Sequence, residues 1–83
     1  MHPLNRKRLI EILHDTFPDA VFDEDDAHLG LGSFPQWDSL GNFNLLLQVE
    51  EAAGVRLSSE EISETKSLAA IIDCLKLRNA YVD

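Results

Sequence analysis

Apolar residues return every three or four positions in three stretches, around residues 9–17, 40–53 and 68–75, and nowhere alternate with polar ones long enough to suggest a strand. Leu9, Ile12, Leu13 and Phe17 form the stripe of a first helix, expected over about 3–16, with Pro3 suited to its opening turn and Pro18 stopping it. A second helix is expected over about 38–53, because Asp38 or Ser39 can cap its first turn and Gly54 can end it. Ser58 followed by Glu61 has the spacing of a capping box, which opens a short third helix, about 59–64, carrying Ile62. Leu68, Ile71, Ile72 and Leu75 repeat at i, i+3, i+4 and i+7 behind Ser67 and predict a fourth helix over about 68–78. The expected fold is all-α, a single-domain small four-helix bundle with a long loop, 17–37, between its first two helices.

That loop shows neither helical nor strand period and is long for so small a domain. Leu29, Leu31 and Phe34 are expected to pin it to the core, while Tyr81 and Val82 read as tail. The second helix carries two apolar stripes rather than one. Leu45, Leu46, Val49 and Ala53 make the first, and Leu40, Phe43 and Leu47 make the second, starting beside Ser39 and flanked by Asn44, Glu50 and Glu51. If the first stripe faces the core, the second is exposed and has the character of a docking surface edged with carboxylates. Periodicity alone equally allows a central helix buried on most sides.

Charge narrows the range of partners. The 83 residues carry a net charge of −8, and residues 11–64 hold thirteen carboxylates against one cation, Arg56. Such a surface repels phosphate backbones and speeds encounter with basic patches, so nucleic acid is not an expected partner. Cys74 is the sole cysteine, which excludes an internal disulfide and makes it a small core-edge residue. Arg6-Lys7-Arg8 ahead of Leu9 and Ile10 has the start of a secretory signal, but Glu11 and Asp15 interrupt the apolar run such a signal needs, so a cytoplasmic monomer is expected. The longest apolar run, Leu68 to Ile72, falls far short of the roughly 20 residues of a membrane helix.

Metal and hydrolytic chemistry find little footing. Asp23-Glu24-Asp25-Asp26 looks like the start of a calcium loop, but His28 stands where that loop needs glycine and Phe34 where it needs a carboxylate. His2, His14 and His28 are too irregularly spaced for a metal site on one helix face, and none is close in sequence to Ser39.

The run Phe34-Pro35-Gln36-Trp37-Asp38-Ser39-Leu40, followed by Leu45-Leu46-Leu47-Gln48-Val49-Glu50-Glu51, by Val55-Arg56-Leu57 and by Ser67-Leu68-Ala69-Ala70-Ile71-Ile72, resembles the acyl carrier proteins over nearly the whole chain. The resemblance implies that Ser39 is the attachment point of 4'-phosphopantetheine, transferred from coenzyme A by a phosphopantetheinyl transferase that brings its own base and magnesium. It further implies that the arm's thiol, not Cys74, holds acyl or aminoacyl groups as thioesters. Implied partners are that transferase, an acyl or aminoacyl ligase, and acyl-transfer or condensing enzymes with basic docking patches. The chain itself would catalyse nothing. Asp38 would cap the helix and be read by the transferase, with Leu40, Phe43, Leu47, Glu50 and Glu51 as the partner face.

Two departures from the family pattern bear on the pathway. Gln36 stands where many members have glycine, and Gly41, Asn42 and Asn44 are uncharged where carriers of fatty acid synthesis have acidic residues. These favour a specialised stand-alone carrier over a general fatty acid one. The alternative from another class is a non-covalent acidic adaptor that binds a partner helix or groove through Leu40, Phe43 and Leu47. A small hydrolase using Ser39 would need a histidine and an acid brought to it by folding.

Overall fold

The structure is a computed structural model and describes residues 2–82. Four helices follow one another, α1 (Arg6–Thr16), α2 (Ser39–Ala53), α3 (Ser59–Glu64) and α4 (Leu68–Leu77), and the described residues contain no strand, only two isolated bridges. The all-α expectation holds.

Each helix is bounded by the chemistry of its ends. Asp38 caps α2 by accepting from the Gly41 amide at 2.8 Å, and Gly54 ends it in the left-handed region at φ 70°, where a β-carbon would be strained. In α3 the Ser58 hydroxyl accepts from the Glu61 amide at 3.1 Å while the Glu61 carboxylate accepts from the Ser58 amide at 2.9 Å, the reciprocal capping box. Ser67 caps α4 through the Ala70 amide at 3.0 Å, and α4 stops at Leu77 with Arg78 as its C-cap.

The start of α1 differs from the sequence reading. Asn5, not Pro3, opens it, since the Asn5 side chain accepts from the Arg8 amide at 2.8 Å. Pro3 and Leu4 stay outside because the Leu4 backbone is committed elsewhere: its N–H donates to Ala80 O at 2.9 Å and its carbonyl accepts from the Val82 amide at 2.8 Å. Leu4 and Tyr81 thus form a parallel bridge. The segment read as tail is a tie between the two ends of the chain, and the buried Ala80 lies within it.

One core joins all parts. Leu9, Ile12 and Leu13 of α1, Leu45, Leu46, Val49 and Ala53 of α2, and Leu68, Ile71 and Leu75 of α4 are buried together. The long loop reaches that core through Leu29, Phe34 and Trp37, with Phe22 packed against it. Phe34 is central among these aromatics, with ring centres 5.3 Å from Phe17, 5.3 Å from Phe22 and 5.7 Å from Trp37. Leu31, expected to pin the loop, does not, and is 40% exposed. Leu31 lies just past the Gly30–Ser67 bridge at the second position of a turn, closed by the Ser33 amide donating to Gly30 O at 2.9 Å with Gly32 at φ 92°, and it points outward while Leu29 points inward.

The acidic run of the loop is used locally. Asp23 accepts from the Asp25 amide at 2.9 Å and Asp26 from the His28 amide at 2.8 Å, two Asx turns in succession. Glu24 meets His14 of α1 at 2.8 Å, and the His14 ring stacks on Phe22 with centres 4.8 Å apart. No helix of the described residues is long and apolar enough to cross a membrane.

Candidate functional site

Ser39 is the first residue of α2 and is exposed. By helix geometry the amides of Ser39 and Leu40 have no intrahelical acceptor, so they add positive potential beside the hydroxyl. Asp38 immediately before it directs its carboxylate to the Gly41 amide. Gly41 is required here by close approach: a β-carbon would run into the Gln36 carbonyl and come within 2.9 Å of the Phe17 ring. The turn that presents Ser39 is therefore pressed directly onto the end of α1.

The two stripes of α2 separate cleanly. Leu45, Leu46, Val49 and Ala53 are all buried, whereas Leu40 is 70%, Phe43 45% and Leu47 42% exposed. An apolar row thus runs along the surface from the residue after Ser39. Of the two acidic residues flanking it, Glu51 is exposed, but Glu50 is half-buried and its carboxylate accepts from the Leu57 amide at 2.6 Å, bracing the turn between α2 and α3.

Asn42, one of the uncharged residues after Ser39, has a part within the domain. It is buried, accepts from the Trp37 indole N–H at 2.9 Å, and donates to the Thr65 carbonyl at 2.9 Å. The loop before Ser39, the first turn of α2 and the end of α3 are locked together by one side chain. A signal for this was present: Asn42 shares its helix face with Leu46, Val49 and Ala53 at i+4, i+7 and i+11. A polar residue in line with a buried stripe needs partners, and Trp37 is an available donor.

A groove of about 360 Å³ opens beside Ser39, lined on the α2 side by Ser39, Asn42 and Phe43. Leu31 forms part of another wall, and Ile62, Ser63 and Lys66 complete it. Leu31 and Lys66 are held next to one another by the Leu31 amide, which donates to Lys66 O at 2.8 Å. Gly30 lets these backbones meet, since a β-carbon there would lie 2.9 Å from Lys66 O.

Under the far side of α3, Glu61 also takes the Arg78 guanidinium at 2.5 Å, and Arg78 approaches Cys74 Sγ at 3.3 Å. The hydrogen bond from Arg78, with that from the Ser58 amide, holds the Glu61 carboxyl down to about 2. The same contact pushes Arg78 up, while burial pushes the Cys74 thiol up and leaves it a core-edge thiol rather than a reactive one. Sequence reading found the Ser58–Glu61 pairing but not Arg78, which lies 17 residues away.

No histidine lines the groove beside Ser39. His14 is engaged by Glu24 and Phe22, and the His2 amide donates to Ala53 O at the opposite end of α2. Among the described residues there is no group of three or more His, Cys, Asp or Glu side chains able to hold a metal ion. Comparison of the chain with models of known protein families, with curated proteins and with solved structures finds no match.

Proposed function

We propose that this chain is an acyl-carrier-type domain in which Ser39 bears 4'-phosphopantetheine, working as a monomer in the cytoplasm and delivering acyl or aminoacyl cargo to partner enzymes. The observation that carries the reading is an exposed hydroxyl at the first residue of α2, inside an Asp-Ser-Leu sequence, with the exposed row Leu40, Phe43 and Leu47 leading away from it. The surroundings of Ser39 fit such a group. The hydroxyl is reachable, free amides of the helix start favour a phosphate, and a groove lies alongside.

When attached, the arm supplies a thiol on a flexible tether. The chain's own residues do the rest by position. Ser39 Oγ is the nucleophile presented to the transferase, which would bring its own base, and no histidine lines the groove beside it. Asp38 keeps the first turn formed through Gly41. Leu40, Phe43 and Leu47 offer apolar area to a partner, and Glu51 with the wider acidic surface draws that partner's basic patch. Glu50 contributes charge but works chiefly within the domain, through Leu57. The uncharged Gly41 and Asn42 have internal duties, so a paucity of acidic residues after Ser39 follows from packing as well as from choice of pathway, with a specialised carrier favoured.

The test is incubation with coenzyme A, magnesium and a promiscuous phosphopantetheinyl transferase, followed by intact mass measurement. A gain equal to the phosphopantetheine arm, abolished in Ser39→Ala, is the expected result. An unchanged mass with a competent transferase favours the second reading, that of an acidic adaptor binding a partner non-covalently through the same exposed row.

A further inference from the structure

Asp38, Ser39 and Leu40 stand exposed on a junction that is fastened from beneath. Trp37 lies two residues before Ser39 and Asn42 three after it, and the hydrogen bond from the Trp37 indole N–H to the Asn42 side-chain oxygen, 2.9 Å, closes the chain into a ring around residues 38–41. Within the ring Asp38 accepts from the Gly41 amide through its carboxylate and from the Asn42 amide through its carbonyl, both at 2.8 Å. The ring is anchored to three other parts of the fold. The Trp37 carbonyl accepts from the Gly32 amide at 2.9 Å, the indole stacks on Phe17 at the end of α1 with centres 6.0 Å apart, and Asn42 donates to the Thr65 carbonyl at the end of α3.

The Asp38 cap alone starts a helix, so the indole–amide pair is not needed to form α2. Two apolar side chains would fill the same interior without needing partners, whereas a buried polar pair that is fully satisfied admits one arrangement. Trp37 and Asn42 are both buried, and among the described residues no buried side-chain nitrogen or oxygen is left unpaired. What the pair adds is a single setting of the turn that carries the Ser39 oxygen.

We infer that Trp37 and Asn42 are positioning residues for the loading of Ser39: they hold the loop–helix junction, before any partner arrives, in the setting that the transferase engages. The inference rests on the carrier reading of Ser39. In loading, Ser39 Oγ attacks the phosphorus that bears the arm in coenzyme A, its proton passes to the transferase, and the nucleotide portion leaves. Base and metal come on a separate protein, so the oxygen must be offered at a fixed place relative to the surface that protein grips. A junction already set needs no ordering on binding, while one that samples several settings weakens apparent affinity by the fraction that is set. The loss therefore belongs in KM rather than in kcat, since the bound junction is ordered in either case. Neither side chain touches the reacting atoms.

The experiment follows transfer of the arm from coenzyme A by intact mass against time, over a range of carrier concentrations, at a temperature where circular dichroism shows each chain folded. The parent is compared with Trp37→Phe, Asn42→Leu, their double variant and Val49→Ala. Val49 is buried too but lies ten residues beyond Ser39 along α2, about 15 Å at 1.5 Å per residue, so its truncation lowers stability without touching the ring. Trp37→Phe keeps an aromatic ring in the core and removes the donor, and it decides the question if Asn42→Leu does not fold. KM for the carrier is expected to rise about three-fold or more in both single variants, and no further in the double variant than in Asn42→Leu, with kcat within about two-fold of the parent's. Val49→Ala should load as the parent does. A parent that a competent transferase leaves unmodified overturns the carrier reading and this inference with it. A parent that loads, alongside ring variants that load with the same KM, overturns the positioning role and leaves the carrier reading intact. So does a Val49→Ala loss equal to that of the ring variants, because loading would then follow overall stability, and so does a loss carried by kcat.

Discussion

Asn42 shows how much of this domain's order turns on a single amide. Both of its halves are engaged, to the Trp37 indole on one side and the Thr65 carbonyl on the other, and all three groups are shielded from water. A hydrogen bond of this kind adds only about 1 kcal/mol net when made, but an orphaned buried partner costs about 1–3 kcal/mol. Asn42→Leu, similar in size and better matched to the apolar stripe below it, is therefore expected to destabilise rather than stabilise, by about 1–3 kcal/mol for each group left without a partner. A urea titration measures this as a lowered midpoint at unchanged slope. A midpoint at or above the parent's would mean that the indole and the carbonyl find water or new partners, and that the lock beneath Ser39 is not one. Packing accounts for two of the uncharged positions after Ser39: Gly41 is pressed against the Gln36 carbonyl and Asn42 is inside, so neither is free to carry a carboxylate.

At the scale of elements, the short α3 has no fully buried residue of its own. Six residues make too few internal hydrogen bonds to stand alone, so the capping box, the Glu61–Arg78 pair and the half-buried Ile62 packed against the core hold it in place. The carboxyl of Glu61 sits at about 2 in the folded protein against an ordinary 4.5, so the folded state binds its proton less readily than the unfolded chain does. Its contribution is complete above about 4.5 and is lost as pH falls toward 2. The melting temperature of the parent should accordingly fall toward that of Glu61→Gln between pH 4.5 and pH 2, the difference between them being largest at neutral pH. A difference that does not change over this range would assign the effect of Glu61 to packing instead of charge. The Ser58–Glu61 pairing was legible in the sequence because a capping box is a three-residue spacing, and the helices were legible because period and caps are local properties. The separation of the two α2 stripes was legible only as a choice between faces. Arg78, the Asn42 network and the groove were not, because each joins residues far apart in the chain. The outward direction of Leu31 was not legible because an apolar residue in a loop has no period to say which way it points, and the turn from Gly30 to Ser33, with Gly32 at φ 92°, decides it.

The whole molecule measures 30 × 26 × 19 Å, with a core drawn from three helices and a loop and no disulfide to restrain the unfolded chain. A domain of this size buries a modest share of its surface, and its net stability is expected near the lower end of the usual 5–15 kcal/mol. Closure of the chain ends then matters out of proportion to its length. Leu4 is buried although it lies outside α1, and what covers it includes the Ala80–Val82 segment, which turns back through Asn79 in the left-handed region at φ 55°. A chain ending at Arg78 loses the two backbone hydrogen bonds of Leu4, about 1 kcal/mol each, together with the burial of Ala80 and part of Leu4. The expected loss is about 2–4 kcal/mol, which at roughly 4–8 °C for each kcal/mol in so small a domain is a large drop in melting temperature. On the proposed carrier reading, the truncated chain should still accept the arm at temperatures where it remains folded, as intact mass would record, because Ser39 and its groove lie on other parts of the fold. A truncated chain that melts with the parent would return the last residues to the status of tail. One that stays folded but can no longer be loaded would tie the chain ends to the presentation of Ser39, which the paths of Leu4 and Ala80 give no reason to expect.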